Sequence, residues 1–303
     1  MTRPALMVGL GEVLWDLLPS AKALGGAPAN FAYMTNLLGD QGIVASRVGD
    51  DDLGREACRV MQELGLSTAY VQYDRQHPTG KAGVFIDSAG QPTFTIKESV
   101  SWDFLEWTES WEHLSARADV VCFGSLAQRS PISASSIERF LQNAPKKALR
   151  IFDVNLRQSF YSTELLRRSL QYADIVKLND QELLRVTSLL GLDAGDEETL
   201  ARRLLNNGKV RLVCVTRGSR GSLLVSNDRT VEHKGFSVKV ADAVGAGDAF
   251  AACLAHHYVR GKSLEEISDL ANRFASWLTT QVGATPVIHQ SRLEGILGGT
   301  TPD

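Results

Sequence analysis

The chain has 303 residues, 44% of them hydrophobic, and 32 Lys and Arg against 35 Asp and Glu give a net charge of -3. That length supports one large core or two unequal domains, and the absence of a basic block argues against nucleic acid, whose phosphates demand clustered Lys and Arg. No apolar run approaches the roughly 20 residues that cross a bilayer, and Met1-Thr2-Arg3-Pro4 opens no secretory segment, so a cytoplasmic protein with no membrane partner is expected.

Ala5–Leu10 is a short apolar run ending at Gly11, the pattern of a buried strand. Glu12, Leu14 and Asp16 then alternate with Val13, Trp15 and Leu17, which predicts a strand with one polar-tending face. Gly25-Gly26-Ala27-Pro28-Ala29-Asn30 is a small-residue loop entering a helix whose apolar stripe is Phe31, Met34, Leu37 and Leu38. Ile43–Val48 reads as a strand, the run from Leu53 to Leu64 as a helix, and Tyr70-Val71 as the next strand. Val84 and Ile86, the turn Ser88-Ala89-Gly90, then Phe94 and Ile96 suggest a β-hairpin. With the Glu12–Leu17 strand it would form a small sheet projecting from the main body.

From residue 111 strand and helix alternate again. Val120–Phe123, Leu149–Val154, Ile175–Leu178 and Leu212–Val215 have the composition of buried parallel strands. Helical patterns lie between them at 133–143, 163–172, 180–190 and 196–206. Ser222–Val225 and Thr230–His233 suggest a second hairpin, and helices near 247–260 and 263–281 precede Gly283-Ala284-Thr285-Pro286 and a weak terminal segment. The expected fold is α/β, a three-layer doubly wound and mostly parallel sheet with a small β lid. The expected core is 1–11, 25–76 and 101–303, and the expected lid is 12–24 and 77–100.

Several chemistries fail on spacing. Gly261-Lys262-Ser263 resembles the end of a P-loop, but His256 stands where the first glycine belongs. Val8-Gly9-Leu10-Gly11 has Leu14 at the third glycine position of a dinucleotide turn. His256-His257 lacks a third zinc ligand in sequence, and no G-x-S-x-G elbow occurs. Cys58, Cys122, Cys214 and Cys253 are dispersed among apolar neighbours and read as small core residues.

What remains is Asp242-Ala243-Val244-Gly245-Ala246-Gly247-Asp248, directly ahead of an apolar-periodic helix. Free N–H groups and the helix dipole suit an anion there, and Asp248 can take a proton from an attacking hydroxyl. The same residues also read as a Gly-rich turn with Asp248 capping the helix, and local chemistry does not choose between the two. Gly25–Asn30 and Gly245–Asp248 each open a helix after an expected strand. In open α/β sheets both can meet at the carboxyl ends of the strands.

These two stretches resemble the signatures of the ribokinase-like (PfkB) sugar kinase family, and the resemblance extends over nearly the whole chain. The first signature is Gly25-Gly26-Ala27-Pro28-Ala29-Asn30-Phe31-Ala32 with Gly39 and Gly49. The second departs from the family pattern once, at Ala243, where a hydroxyl, proline or valine is usual. The resemblance implies Asp248 as the base and Gly245, Ala246 and Gly247 as the anion hole. It places Asp16, Gly26 and Asn30 on sugar hydroxyls. Asn179 opens an N-x-x-E element whose Glu182 would hold Mg2+ through water. Thr216, Gly218 and Gly221 would form a nucleotide loop, with Asn272 near the adenosine. Asp242 and the Gly283 region would flank a monovalent cation such as K+.

Phe152-Asp153-Val154-Asn155-Leu156-Arg157 resembles a segment shared by fructokinases and 2-keto-3-deoxygluconate kinases. Arg157 suits a sugar oxygen, a carboxylate or a phosphate equally, and Tyr161 would join it on a carboxylate. The implied partners are ATP and a small sugar, fructose being the first expectation. A 2-keto-3-deoxygluconate kinase, a nucleoside kinase or a non-catalytic sugar-binding homologue are the alternatives. A homodimer through the lid is expected if that small sheet carries an exposed apolar face.

Overall fold

The computed structural model describes residues 3–17, 21–86, 92–192 and 194–299. Nine strands form the main sheet: β1 (Leu6–Leu10), β4 (Gln41–Gly49), β5 (Val71–Asp74), β8 (Val120–Gly124), β9 (Leu149–Asp153), β10 (Ile175–Asn179), β11 (Leu212–Thr216), β12 (Ser222–Ser226) and β13 (Thr230–His233). Their order is β13-β12-β11-β10-β9-β8-β1-β4-β5. All neighbours are parallel except at one edge, where β12 and β13 run antiparallel. The chain order reverses around β1, between β4 and β8, which opens a crevice at the carboxyl ends of the strands.

Alternation along each strand divides the core in two. Val8, Val121, Phe152, Val176 and Val213 face α3 (Glu109–Ser115), α4 (Pro131–Asn143), α5 (Thr163–Tyr172), α6 (Asp180–Leu190) and α7 (Glu197–Leu205). Met7, Val120, Ile151, Ile175 and Leu212 face α1 (Ala27–Leu37), α2 (Asp52–Glu63), α8 (Ala246–Tyr258), α9 (Leu264–Thr279) and α10 (Gln290–Leu297). The expected three layers are therefore present. Buried on both faces, the parallel strands need the near-continuous apolar runs seen in the sequence.

A separate four-stranded sheet has the order β3-β2-β6-β7, from β2 (Leu14–Leu17), β3 (Lys22–Gly25), β6 (Gly80–Ile86) and β7 (Pro92–Ile96). The expected hairpin is β6 and β7, with Val84 opposite Phe94. Its Ser88-Ala89-Gly90 turn lies outside the described residues.

Three local expectations change. The strand expected from Glu12 starts at Leu14, and Glu12 is a buried residue just before it. Strand β3 was not foreseen, because Lys22-Ala23-Leu24-Gly25 is too short to show a period. Helix α8 does not follow a parallel strand. Residues 234–241, between β13 and the Asp242–Asp248 segment, have no regular structure.

Candidate active site

Helices α1 and α8 pack together on one face of the sheet and point their N-termini into the same crevice. Pro28 lies in the first turn of α1, where its missing N–H costs nothing. The preceding Gly26 has φ 116°, and a Cβ there would lie 2.5 Å from the Glu12 carbonyl oxygen. Only glycine fits that crossing. The Gly26 carbonyl accepts from the N–H groups of Ala29 and Asn30, fixing the direction in which Asn30 leaves the helix.

At the other helix, Gly245 occupies the N-cap in the left-handed region and no side chain caps the end. The first i→i−4 bond runs from Ala249 N–H to Gly245 C=O, so the amides of Gly247 and Asp248 precede the ladder. The Ala246 amide makes a long 3.3 Å bond to Ala243 C=O, closing the turn. Asp248 therefore does not act as a cap: its Oδ2 accepts from Asn30 Nδ2 at 2.8 Å, across 218 residues of sequence. Burial and the Asp153 carboxylate push Asp248 up to about 6, against the pull of Asn30, Lys177 and Arg157. A carboxylate so placed is ionised at neutral pH yet is a stronger base than a solvated one.

Three further ionisable residues converge here that motif reading did not select. Glu12, 3% exposed, lines the same cavity as Pro28, Phe31, Cys122, Asp153 and Asp248, and its Oε2 has no hydrogen-bond partner among the described residues. Burial pushes it up to about 7, with Arg157 opposing and Asp248 and Asp153 adding to the rise. Asp153 and Lys177 form a buried ion pair, Lys177 Nζ donating to both carboxylate oxygens at 2.9 Å. The sequence held one signal for this pair: a lysine inside the apolar run Ile175–Leu178, where an unpaired charge is not tolerated.

The remaining expected residues lie around this centre. Asp16 is half-buried on β2, opposite Ala23 and Ala82, and burial raises its carboxyl while Arg157 lowers it. Arg157 is exposed beyond β9, its Nη1 donating to Leu156 C=O, on a loop where Asn155 and Gln158 adopt φ 44° and 49°. Two non-glycine residues in that region mark a loop whose conformation the surroundings enforce. The Tyr161 hydroxyl accepts from Arg185 Nε at 3.3 Å.

Asn179 and Thr216 are register partners at the ends of β10 and β11. Asn179 and Glu182 form a capping box, and the two Glu182 oxygens accept from Asn179 N–H and Leu156 N–H at 2.9 and 2.8 Å. Each oxygen keeps a lone pair for water, so Glu182 fits an outer-sphere Mg2+ role, in which a strongly hydrated cation retains its waters. Gly218 and Gly221 bound a 3-10 turn after β11, Gly221 with φ 80°. Asn272 is buried, not on the helix surface, and both its amide hydrogens are engaged, by Ser222 Oγ and Ser268 C=O at 2.7 Å. It ties α9 to β12, the strand that follows the Gly218–Gly221 turn. Asp242 accepts from Val244 N–H and Gly283 N–H, so the structure brings these two distant segments together.

This arrangement matches known proteins over the whole fold. Residues 20–290 match the pfkB family carbohydrate kinase description, and the chain belongs to that family. Fructokinase from Escherichia coli is 31% identical over 299 residues, covering 91% of this chain and 93% of that one. Fructokinase-1 of Oryza sativa subsp. japonica is 29% identical, covering 94% of each. Among solved structures, fructokinase from Vibrio cholerae O395 in a fructose-, ADP- and calcium-bound form superposes with a TM-score of 0.80 at 25% identity, covering 97% and 99%. The Xylella fastidiosa fructokinase with bound ATP reaches 0.82 at 23% identity, covering 98% and 99%, a likeness of fold. The protein is thus a carbohydrate kinase, a phosphotransferase whose acceptor is a sugar hydroxyl.

Proposed function

We propose that the chain is an ATP-dependent fructokinase. The observation that carries the reading is the Asn30–Asp248 hydrogen bond. It joins a sugar-binding loop and an anion loop that lie at opposite ends of the sequence. The named relatives are fructokinases, and the V. cholerae structure holds fructose and ADP.

In this reading Asp16, Gly26, Asn30 and Arg157 hold the sugar beneath the small sheet, residues 12–24 and 77–100, acting as a lid. Asp248 removes the proton of a primary hydroxyl as its oxygen attacks the γ-phosphate. N–H groups of Gly245 and Gly247, joined by that of Ala246 when it gives up its long bond to Ala243 C=O, bind the transferring group, supported by the helix dipole. Thr216, Gly218 and Gly221 cradle the nucleotide, and Asn179 and Asn272 shape its site. Mg2+ held through water by Glu182 would neutralise the phosphates, and K+ beside Asp242 and Gly283 would support the anion loop. Potassium is present in another form of the V. cholerae enzyme, at 26% identity.

Closing the lid would exclude water and limit wasteful ATP hydrolysis. A cytoplasmic homodimer through the lid completes the proposal, and light scattering tests it. No helix among the described residues is long and apolar enough to cross a membrane.

The test is coupled ADP release with ATP, Mg2+ and a panel of D-fructose, D-ribose, 2-keto-3-deoxygluconate and adenosine. Fructose should give the highest kcat/KM. A higher value for another acceptor reassigns the substrate, and no acceptor-stimulated ADP release by the folded protein overturns the kinase mechanism.

A further inference from the structure

The Lys177–Asp153 pair lies where an apolar pair would serve the fold at least as well. Its row of the sheet, facing α8, reads Gly124, Asp153, Lys177, Cys214, Leu224 across five adjacent strands. The flanking positions are small or apolar, and both charged side chains are more than nine-tenths buried. Taking two charges out of water is costly, and their mutual attraction often fails to repay that cost. Packing alone gives no reason for the pair.

Its location does. Lys177 Nζ would stand 3.1 Å from a Cβ built on Gly247, and beyond the adjoining residues of α8 itself no other described residue comes within 4 Å of that point. The missing side chain of Gly247 is what lets the ammonium approach the first turn of α8. Two Lys177 N–H bonds are committed to Asp153 and the third has no partner among the described residues. Burial alone would lower the Lys177 proton affinity, yet Asp153, Asp248 and Glu182 outweigh it and raise it, so the charge is permanent at working pH.

Resting on the proposed roles of Asp248 and the anion loop, we propose that Lys177 is a positioning residue for phosphoryl transfer, gripped by Asp153 so that its ammonium supplies fixed positive charge to the loop and to the Asp248 carboxylate. Fixed charge aimed at a transferring phosphoryl group acts without reorganisation during the reaction. The charged and polar groups that act on Asp248 are Asp153, Asn30, Lys177, Arg157 and Glu12. Of the two cations, Lys177 is buried on the sheet side and Arg157 is exposed on a loop, so Lys177 is the one held in place.

The experiment compares Lys177→Met, Lys177→Arg and the neutral pair Lys177→Met/Asp153→Asn, with Asp248→Asn alongside. Turnover is followed with D-fructose and ATP across pH, and the Asp248 carboxylate is titrated by carbon-13 NMR in the ligand-free protein. Lys177→Met should lower kcat about 10- to 100-fold, leave the fructose KM within about threefold, and move the Asp248 titration to higher pH. Lys177→Arg should recover part of the kcat and the original titration.

The neutral pair removes opposing influences on Asp248, so its titration should return towards wild type while kcat stays low. If Lys177→Met does not fold, this pair carries the test, since it leaves no uncompensated buried charge. A folded Lys177→Met or neutral pair with wild-type kcat overturns the proposal. Near-normal turnover by Asp248→Asn would instead remove the base reading. The Lys177 effect on kcat is read independently of that result.

Discussion

The two ends of α8 each meet a carboxylate, and burial pushes both carboxyls up. At the C-terminal end Asp40 has a side chain with no exposed surface. It accepts from Ala5 N–H, His256 Nδ1 and both terminal nitrogens of Arg260, at 2.6 to 3.2 Å. Burial raises its carboxyl, but bonds from His256 and Arg260 outweigh that and hold it below the ordinary value. At the N-terminal end Asp248 has one side-chain donor, Asn30, and stands near Asp153, so it settles up at about 6. Burial pushes both carboxyls up, and the donors around each decide how far that push is offset: Asp40 is saturated and clamps the helix end, while Asp248, with one side-chain donor, stays raised as the proposed base would need.

Breaking the base should give the largest effect. Asp248→Asn should lower kcat by about 10²–10⁴. Its stability should hold or rise, because a carboxylate with a raised pKa opposes folding at neutral pH, here by about 3 kcal/mol at most. Melting curves measured beside steady-state kinetics check both signs together. Breaking the clamp should do the reverse. Asp40→Asn should cost about 3 kcal/mol of unfolding free energy, since it strips a buried partner from Arg260 and His256. The kcat of the folded fraction should stay within about twofold, measured below the onset of unfolding.

The contrast between these carboxylates was only half visible in the sequence. Asp248 announced itself because the pattern of the proposed anion loop is local: small residues, a carboxylate and a helix start lie within seven positions. The strand–helix alternation was legible for the same reason, as each element carries its own period. Asp40 did not stand out, since its donors come from Ala5, His256 and Arg260, two of them more than 200 residues away. Lys177 and Asp153 are partners only through the register of β9 and β10, and no local pattern specifies which strands adjoin. Glu12 looked like the polar face of a lid strand. It became a buried carboxyl because the chain turns there, over Gly26, before the strand begins. Local chemistry was readable, and chemistry assembled across strands was not.

Acid should separate the two ends without mutation. Asp248 of the free protein loses its charge as pH falls through about 6, so kcat/KM should drop roughly tenfold between pH 7 and pH 5 while the fold persists. Asp40 has a depressed folded pKa, so its contribution to stability is present above the ordinary carboxylate range and is lost as pH falls through that lower value. Kinetic and circular-dichroism profiles should therefore fall in separate pH windows, activity first. Coincident profiles would mean that inactivation is simply unfolding.

The smallest effect tests the donor-count argument most directly. Asn30 supplies the one side-chain hydrogen bond that lowers the Asp248 proton affinity, so Asn30→Ala leaves the base with none. The acid limb of the kcat/KM profile should then move upward by about half a pH unit, with less than a tenfold loss of kcat at pH 8, where Asp248 remains ionised. Fructose KM should rise as well if Asn30 also meets the sugar. An acid limb that stays in place with a raised KM would assign Asn30 to the sugar alone, and the proton affinity of Asp248 would then be set by Asp153 and Lys177 beneath it.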